Sequence, residues 1–219
     1  MTRGKFITLE GLDGAGKSTH LEWLRIFLET RGVSVCVTRE PGGTPLGETL
    51  RTLLLDREQQ LHPETETLLM FAARREHLDK VILPALKTGA WVVCDRFTDA
   101  SYAYQSGGSG VDWRKIATLE AWVHPDLPPD LTVYFDVNPE VGRTRAGAVR
   151  APDRYEQEQE AFHARVRAGY LRRASEQHGR VHVIDANCAI RSVQEKLEQA
   201  LLSLWNKDLY PGYEDRAKS

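Results

Sequence analysis

The chain has 219 residues, enough for one α/β domain built around a single large core. Its 29 basic and 31 acidic residues leave a formal net charge of −2, so no basic excess draws it to the phosphates of DNA or RNA. Cys36, Cys94 and Cys188 lie far apart without C-x-x-C spacing, no apolar run nears the ~18 residues of a membrane span, and residues 1–5 carry no apolar signal region, which argues against a disulfide framework and for a cytoplasmic protein.

Residues 6–10 are apolar and partly β-branched, and they predict a short buried strand. Gly11 to Ser18 follow at once and match G-x-x-x-x-G-K-[ST], the loop that cradles nucleoside triphosphate phosphates. Leu21, Leu24, Phe27 and Leu28 then recur at helical spacing across 17–31, and Gly32 stands where a helix commonly stops. A strand before the loop and a helix after it is the setting this motif requires. Glycine lets the main chain approach an anion closely, and successive N–H groups point inward as a nest. The expected ATP-binding set is therefore Gly11, Leu12, Asp13, Gly14, Ala15, Gly16, Lys17, Ser18 and Thr19. Within it, Lys17 is expected to reach the β- and γ-phosphates, and the Ser18 hydroxyl to ligate Mg²⁺.

A strand is predicted next at 33–38, then a polar cluster from Arg39 to Thr44, then helices at 46–54 and 65–87. A third strand at 91–95 ends in Asp95-Arg96. Beyond it come a helix at 113–122, a strand at 131–137, helices at 139–146 and 155–177, a strand at 181–185 and a helix at 190–205. Val-rich, nearly continuous apolar strands alternating with helices predict a doubly wound, five-stranded parallel sheet flanked by helices. The expected organisation is one domain over 1–206 and a polar, frayed tail over 207–219. Ligands of such a sheet bind beyond the carboxyl ends of its strands, where the polar clusters after residues 10, 38 and 95 fall.

The phosphate loop alone does not choose between switches, motors and kinases. Asn206-Lys207-Asp208-Leu209 lacks the N-K-x-D spacing of guanine readers. Asp95 suits a carboxylate that helps hold Mg²⁺, while Arg96 is a planar fork for phosphate and no base for water. That pair favours transfer to a second, phosphorylated substrate. Thr38-Arg39-Glu40-Pro41-Gly42-Gly43-Thr44, Asp95-Arg96-Phe97 with Ser101 and Ala103-Tyr104-Gln105, and Asp153-Arg154 with Glu156 together resemble bacterial thymidylate kinases, from about Lys5 to the final helix.

The resemblance implies transfer of the ATP γ-phosphate to thymidine monophosphate (dTMP). It implies that Phe71 stacks on the thymine ring and that Arg75, four residues on and so on the same helix face, donates to a thymine carbonyl. Arg74 also stands in Phe71-Ala72-Ala73-Arg74-Arg75, but the family spacing selects Arg75. Gln105 is expected at the base edge, Tyr104 against the sugar 2′ position, and Asp13 on the 3′-hydroxyl, with Ser101 in the same segment. Arg39, Arg51 and Arg96 are candidates for the acceptor phosphate, because guanidinium forks match phosphate geometry.

Residues 142–154 carry Arg143, Arg145, Arg150 and Arg154 in a Gly- and Ala-rich stretch that looks like the mobile lid of nucleoside monophosphate kinases. A closing lid excludes water and delivers cations to the transferring phosphoryl group. The phosphate loop holds no arginine between its glycines, so the resemblance places the catalytic cations at Lys17, Arg96 and Arg145. Arg150 substitutes from a shifted register, because Gly147 and Val149 stand where some relatives carry arginine. Many relatives are homodimers, which makes a homodimer the expected assembly. Two other readings remain at this level: a kinase of the same architecture for another nucleoside or monophosphate, and a nucleotide-binding module without transfer activity.

Overall fold

The computed structural model describes residues 3–147, 154 and 155, 158–202 and 204. The strands β1 (Phe6–Glu10), β2 (Val35–Arg39), β3 (Trp91–Asp95), β4 (Leu131–Asp136) and β5 (Val181–Asp185) all pair in parallel, in the order β2-β3-β1-β4-β5. β1 is buried at every residue, as expected for a central strand covered on both faces. Successive side chains point to opposite faces. Ile7, Leu9 and Val93 therefore meet Leu24 and Leu28 on one side of the sheet, while Phe6, Val92 and Cys94 meet Leu78 and Ile82 on the other.

The helices among the described residues are α1 (Lys17–Glu29), α2 (Pro45–Leu55), α3 (Pro63–His77), α4 (Leu83–Lys87), α5 (Thr98–Ser101), α6 (Trp113–Val123), α7 (Pro139–Gly147), α8 (Glu160–Glu176) and α9 (Ile190–Leu202). Local chemistry sets several of their ends. Thr44 Oγ1 accepts from Gly47 N at 2.9 Å ahead of Pro45, and His62 Nδ1 accepts from Glu64 N at 3.2 Å ahead of Pro63. Proline fits the first helical turn, where its missing N–H is no loss.

Three elements differ from the sequence expectation. The helix expected over 65–87 widens into a π-helical stretch, Leu78–Ile82, with Leu83 N bonded to Leu78 O. Pro84 follows at once; its ring would crowd the carbonyl of residue 80 and it has no N–H to give, so a wider turn relieves both. A second π-helical stretch, Tyr102–Gly108, continues α5 where no helix was predicted. α8 begins at Glu160, not 155. Arg150, Asp153, Glu156 and the tail 207–219 lie outside the described residues.

Candidate active site

Leu9 of β1 pairs with Asp95 of β3, so the loops that follow these strands face each other. The first is the phosphate loop. Gly11, Gly14 and Gly16 take φ of 144°, 75° and 88°, values that other residues rarely reach. A Cβ on Gly14 would lie 2.0 Å from the Gly142 carbonyl oxygen, so glycine is what allows α7 to sit on the loop. Lys17 is buried, and its Nζ donates to the Gly11 and Leu12 carbonyls at 3.1 Å each, 3.8 Å from Asp13 Oδ1. Burial pulls its pKa down. An ammonium stripped of water in this way gains strongly from an anion.

Two clefts open at this end of the sheet. One, of ≈ 610 Å³, runs along Asp13 to His20 and is closed by Asp95, Arg145, Ala186, Cys188, Ile190 and Val193. It includes Gly14, Ala15, Gly16, Lys17, Ser18 and Thr19 of the expected ATP set. Gly11 and Leu12 do not line it; Leu12 is in the core, and both serve the loop through the carbonyls that hold Lys17. Arg145 projects from α7 over this cleft and donates to the Ala186 carbonyl at 3.0 Å.

The second cleft, of ≈ 390 Å³, is lined by Arg39, Arg51, Arg74 and Arg96, with Met70, Phe97, Ser101, Tyr104, Gln105 and Tyr155 among its other walls. Both volumes suit small-molecule ligands. Asp13, Ser18 and Asp95 border both clefts, so the clefts meet at the phosphate loop. Asp95 Oδ1 is buried and has no hydrogen-bond partner among the described residues. A buried carboxylate oxygen left open beside a serine hydroxyl is a hard-oxygen pair that fits Mg²⁺.

Arg96 holds a left-handed backbone, φ 68°, a conformation that costs a non-glycine residue about 1 kcal/mol or more. Its N–H donates to Leu9 O at 3.0 Å, and its guanidinium reaches Asp13 Oδ1 at 3.1 Å and the Tyr170 hydroxyl at 3.3 Å. The guanidinium also lies 4.8 Å from the Tyr104 ring centre. Behind it sits Glu10, fully buried. Burial, with Asp99 nearby, pushes the Glu10 carboxyl up to about 8. Arg39 is half-exposed at the rim, its Nη2 donating to both Glu48 carboxylate oxygens at 2.9 and 3.0 Å, and Arg51 donates to the Pro41 carbonyl at 2.9 Å.

The far end of this cleft departs from the sequence expectation. Phe71 is buried against Tyr102, Val111 and Ile116 and does not line the cleft. Arg75 faces outward, 3.8 Å from Asp79 and 3.4 Å from the Val123 carbonyl. Met70 and Arg74, each one residue earlier and again four apart, occupy the wall instead. Arg74 is locked there: Nε donates to Glu40 Oε2 at 2.7 Å, and Nη1 and Nη2 donate to Ser101 Oγ at 3.2 and 3.1 Å. Burial works against the charge on Glu40, but Arg74 and His77 outweigh it and hold the carboxyl below its usual range. Gln105 Nε2 donates to Glu66 at 2.9 Å, and Arg154 clasps the other oxygen of that same carboxylate.

The sequence analysis did not single out Met70, and it favoured Arg75 where Arg74 is the arginine of α3 that lines the cleft. A usable signal was present: Thr67, Met70, Arg74 and His77 share one face of α3 at helical spacing, and Arg74 and His77 both reach Glu40. Among the described residues no cluster of three His, Cys, Asp or Glu side chains could hold a metal by itself.

A family model for thymidylate kinase matches residues 9–197. The chain is 58% identical to a thymidylate kinase of Nitrosospira multiformis over 93% of this chain and 99% of that one. It is 59% identical to one of Nitrosomonas europaea over 94% and 96% respectively. A crystal structure of thymidylate kinase from Ehrlichia chaffeensis superimposes with a TM-score of 0.74 at 37% identity, over 91% of this chain and 99% of that one.

Proposed function

Because the chain belongs to the thymidylate kinase family and transfers the γ-phosphate of ATP to dTMP, we propose a division of labour between its two clefts. ATP takes the cleft along the phosphate loop, with Lys17 on its terminal phosphates and Arg145 above them. dTMP takes the arginine-lined cleft, its phosphate toward Arg96, Arg39 and Arg51 and its base toward Arg74, Met70, Gln105 and Ser101. The observation that carries this reading is that Asp13, Ser18 and Asp95 belong to both clefts, so the two phosphates would meet there.

The chemistry asks for alignment and charge neutralisation. A phosphate oxygen of dTMP forms the new bond to the γ-phosphorus, the bond to the β–γ bridging oxygen breaks, and ADP leaves. The acceptor is already an anion, so no strong base is needed. Lys17, Arg96 and Arg145 place positive charge where the two anions would otherwise repel. Ser18 and Asp95 would hold Mg²⁺, which when bound neutralises charge on the ATP phosphates. Asp13 has a hydrogen-bond role toward the sugar, and Tyr104 crowds its 2′ side.

The same proposal takes residues 1–206 as one kinase unit with a lid over about 142–154, and places the protein in the cytoplasm, where its three free thiols suit a reducing medium. It also takes the assembly as a homodimer. Leu68 on α3 and Trp122 on the adjoining α6 are 56% and 80% exposed, apolar residues of the kind a second copy of the chain would cover. Sedimentation should give about twice the 24.8 kDa chain mass, and a single-chain mass would remove the dimer from the proposal. Steady-state kinetics test the cleft assignment. R96A should raise KM for dTMP and R145A should raise KM for MgATP; the reverse pattern overturns it.

A further inference from the structure

Glu10 is a buried acid that the reaction as described leaves without a task. It ends β1 one residue before the phosphate loop, and it has no ion-pair partner among the described residues. A carboxyl group in the interior is unfavourable unless its hydrogen bonds are needed where they are, and an apolar side chain would pack there at lower cost. Its two oxygens have separate partners. Oε1 accepts from the Phe97 backbone N–H at 2.7 Å, and Oε2 accepts from the Tyr170 hydroxyl at 2.9 Å.

Both partners lead to Arg96. Phe97 is the next residue, so its N–H belongs to the peptide that follows the left-handed Arg96 backbone. With Arg96 N already on Leu9 O, the Glu10 carboxyl group fixes the other side of that strained residue. The Tyr170 hydroxyl, whose hydrogen goes to Glu10, accepts from Arg96 Nη1 at 3.3 Å. We propose that Glu10 is a positioning residue for phosphoryl transfer, holding Arg96 at its backbone through Phe97 N–H and at its guanidinium through Tyr170. This rests on the reading that Arg96 engages the acceptor phosphate. Neither Glu10 nor Tyr170 lines either cleft, so the effect reaches substrate through the residues they hold, Arg96 first among them.

The test is a double-variant cycle on the full chain with dTMP and MgATP. E10Q keeps a carbonyl oxygen for Phe97 N–H but offers Tyr170 no second acceptor. It should lower kcat/KM for dTMP about 10- to 100-fold, in line with a displaced cation, and leave KM for MgATP within about twofold. E10Q/R96A should be no slower than R96A, because both act through one guanidinium. Y170F carries the same prediction should E10Q fail to fold: a loss on the dTMP side that vanishes in the R96A background. If R96A is impaired but E10Q and Y170F multiply with it, or leave wild-type activity, the positioning role is wrong. If R96A itself keeps wild-type kinetics, the assignment of Arg96 falls first and this role falls with it.

Discussion

Arg74 and Arg75 are adjacent in sequence, yet one is sealed into the wall of the arginine-lined cleft and the other faces water. One residue step turns a helix by about 100°, so a spacing rule off by one exchanges the two roles. R74K keeps a charge for buried Glu40 but loses the planar fork that also holds Ser101. It should raise KM for dTMP about tenfold, while R75A, half-exposed, should change it by less than about twofold. Equal effects would return Arg75 to the site. The phosphate loop is legible from sequence because its eight residues are contiguous and each has a local task. The α3 wall of the second cleft is less so, because which face of α3 meets the cleft is decided by what the helix packs against: Phe71 satisfies the core with Tyr102 and Ile116 and turns Met70 and Arg74 to the cleft.

At the level of elements, the five strands follow from continuous apolar runs, and most helices from apolar periodicity and proline or glycine at their ends. The segment from Thr98 to Gly108 escapes that logic. Its helicity depends on α8, which it meets through glycines: a Cβ on Gly169 would stand 2.9 Å from Ala103 Cα, and one on Gly108 would stand 2.5 Å from the Phe162 ring. No local pattern encodes such a contact. G169A should therefore push this segment, with Tyr104 and Gln105, away from α8. It should destabilise the fold by about 1–3 kcal/mol in denaturant unfolding and weaken dTMP more than ATP. Unchanged stability would mean that the two elements have slack between them.

Across the whole molecule, Asp99 joins distant parts of the chain. It accepts from Arg173 Nε at 2.8 Å, from Arg180 at 2.7 and 2.9 Å, and from the Thr132 hydroxyl at 3.1 Å. Burial disfavours its charge, but Arg180 and Arg173 outweigh that and hold its carboxyl down to about 2, against 3.8 ordinarily. A depressed acid stabilises the fold above its unfolded pKa, and that contribution fades as pH falls from about 4 through 2. The difference in unfolding free energy between wild type and D99N should shrink across that window by about 2 kcal/mol, the equivalent of the shift itself. A difference independent of pH would show that the charge on Asp99 does not matter.

The same scale holds the functional claim, since phosphoryl transfer needs both clefts, which meet at the phosphate loop. The first measurement is ADP release in a coupled assay with MgATP and a panel of nucleoside monophosphates. The structure and its relatives predict ADP formation that depends on dTMP, greatly exceeds that with other monophosphates, and stops when Mg²⁺ is chelated. A preference for a different monophosphate would leave the phosphate loop in place but overturn the base-side cleft. ADP released at the same rate without any acceptor would contradict transfer altogether.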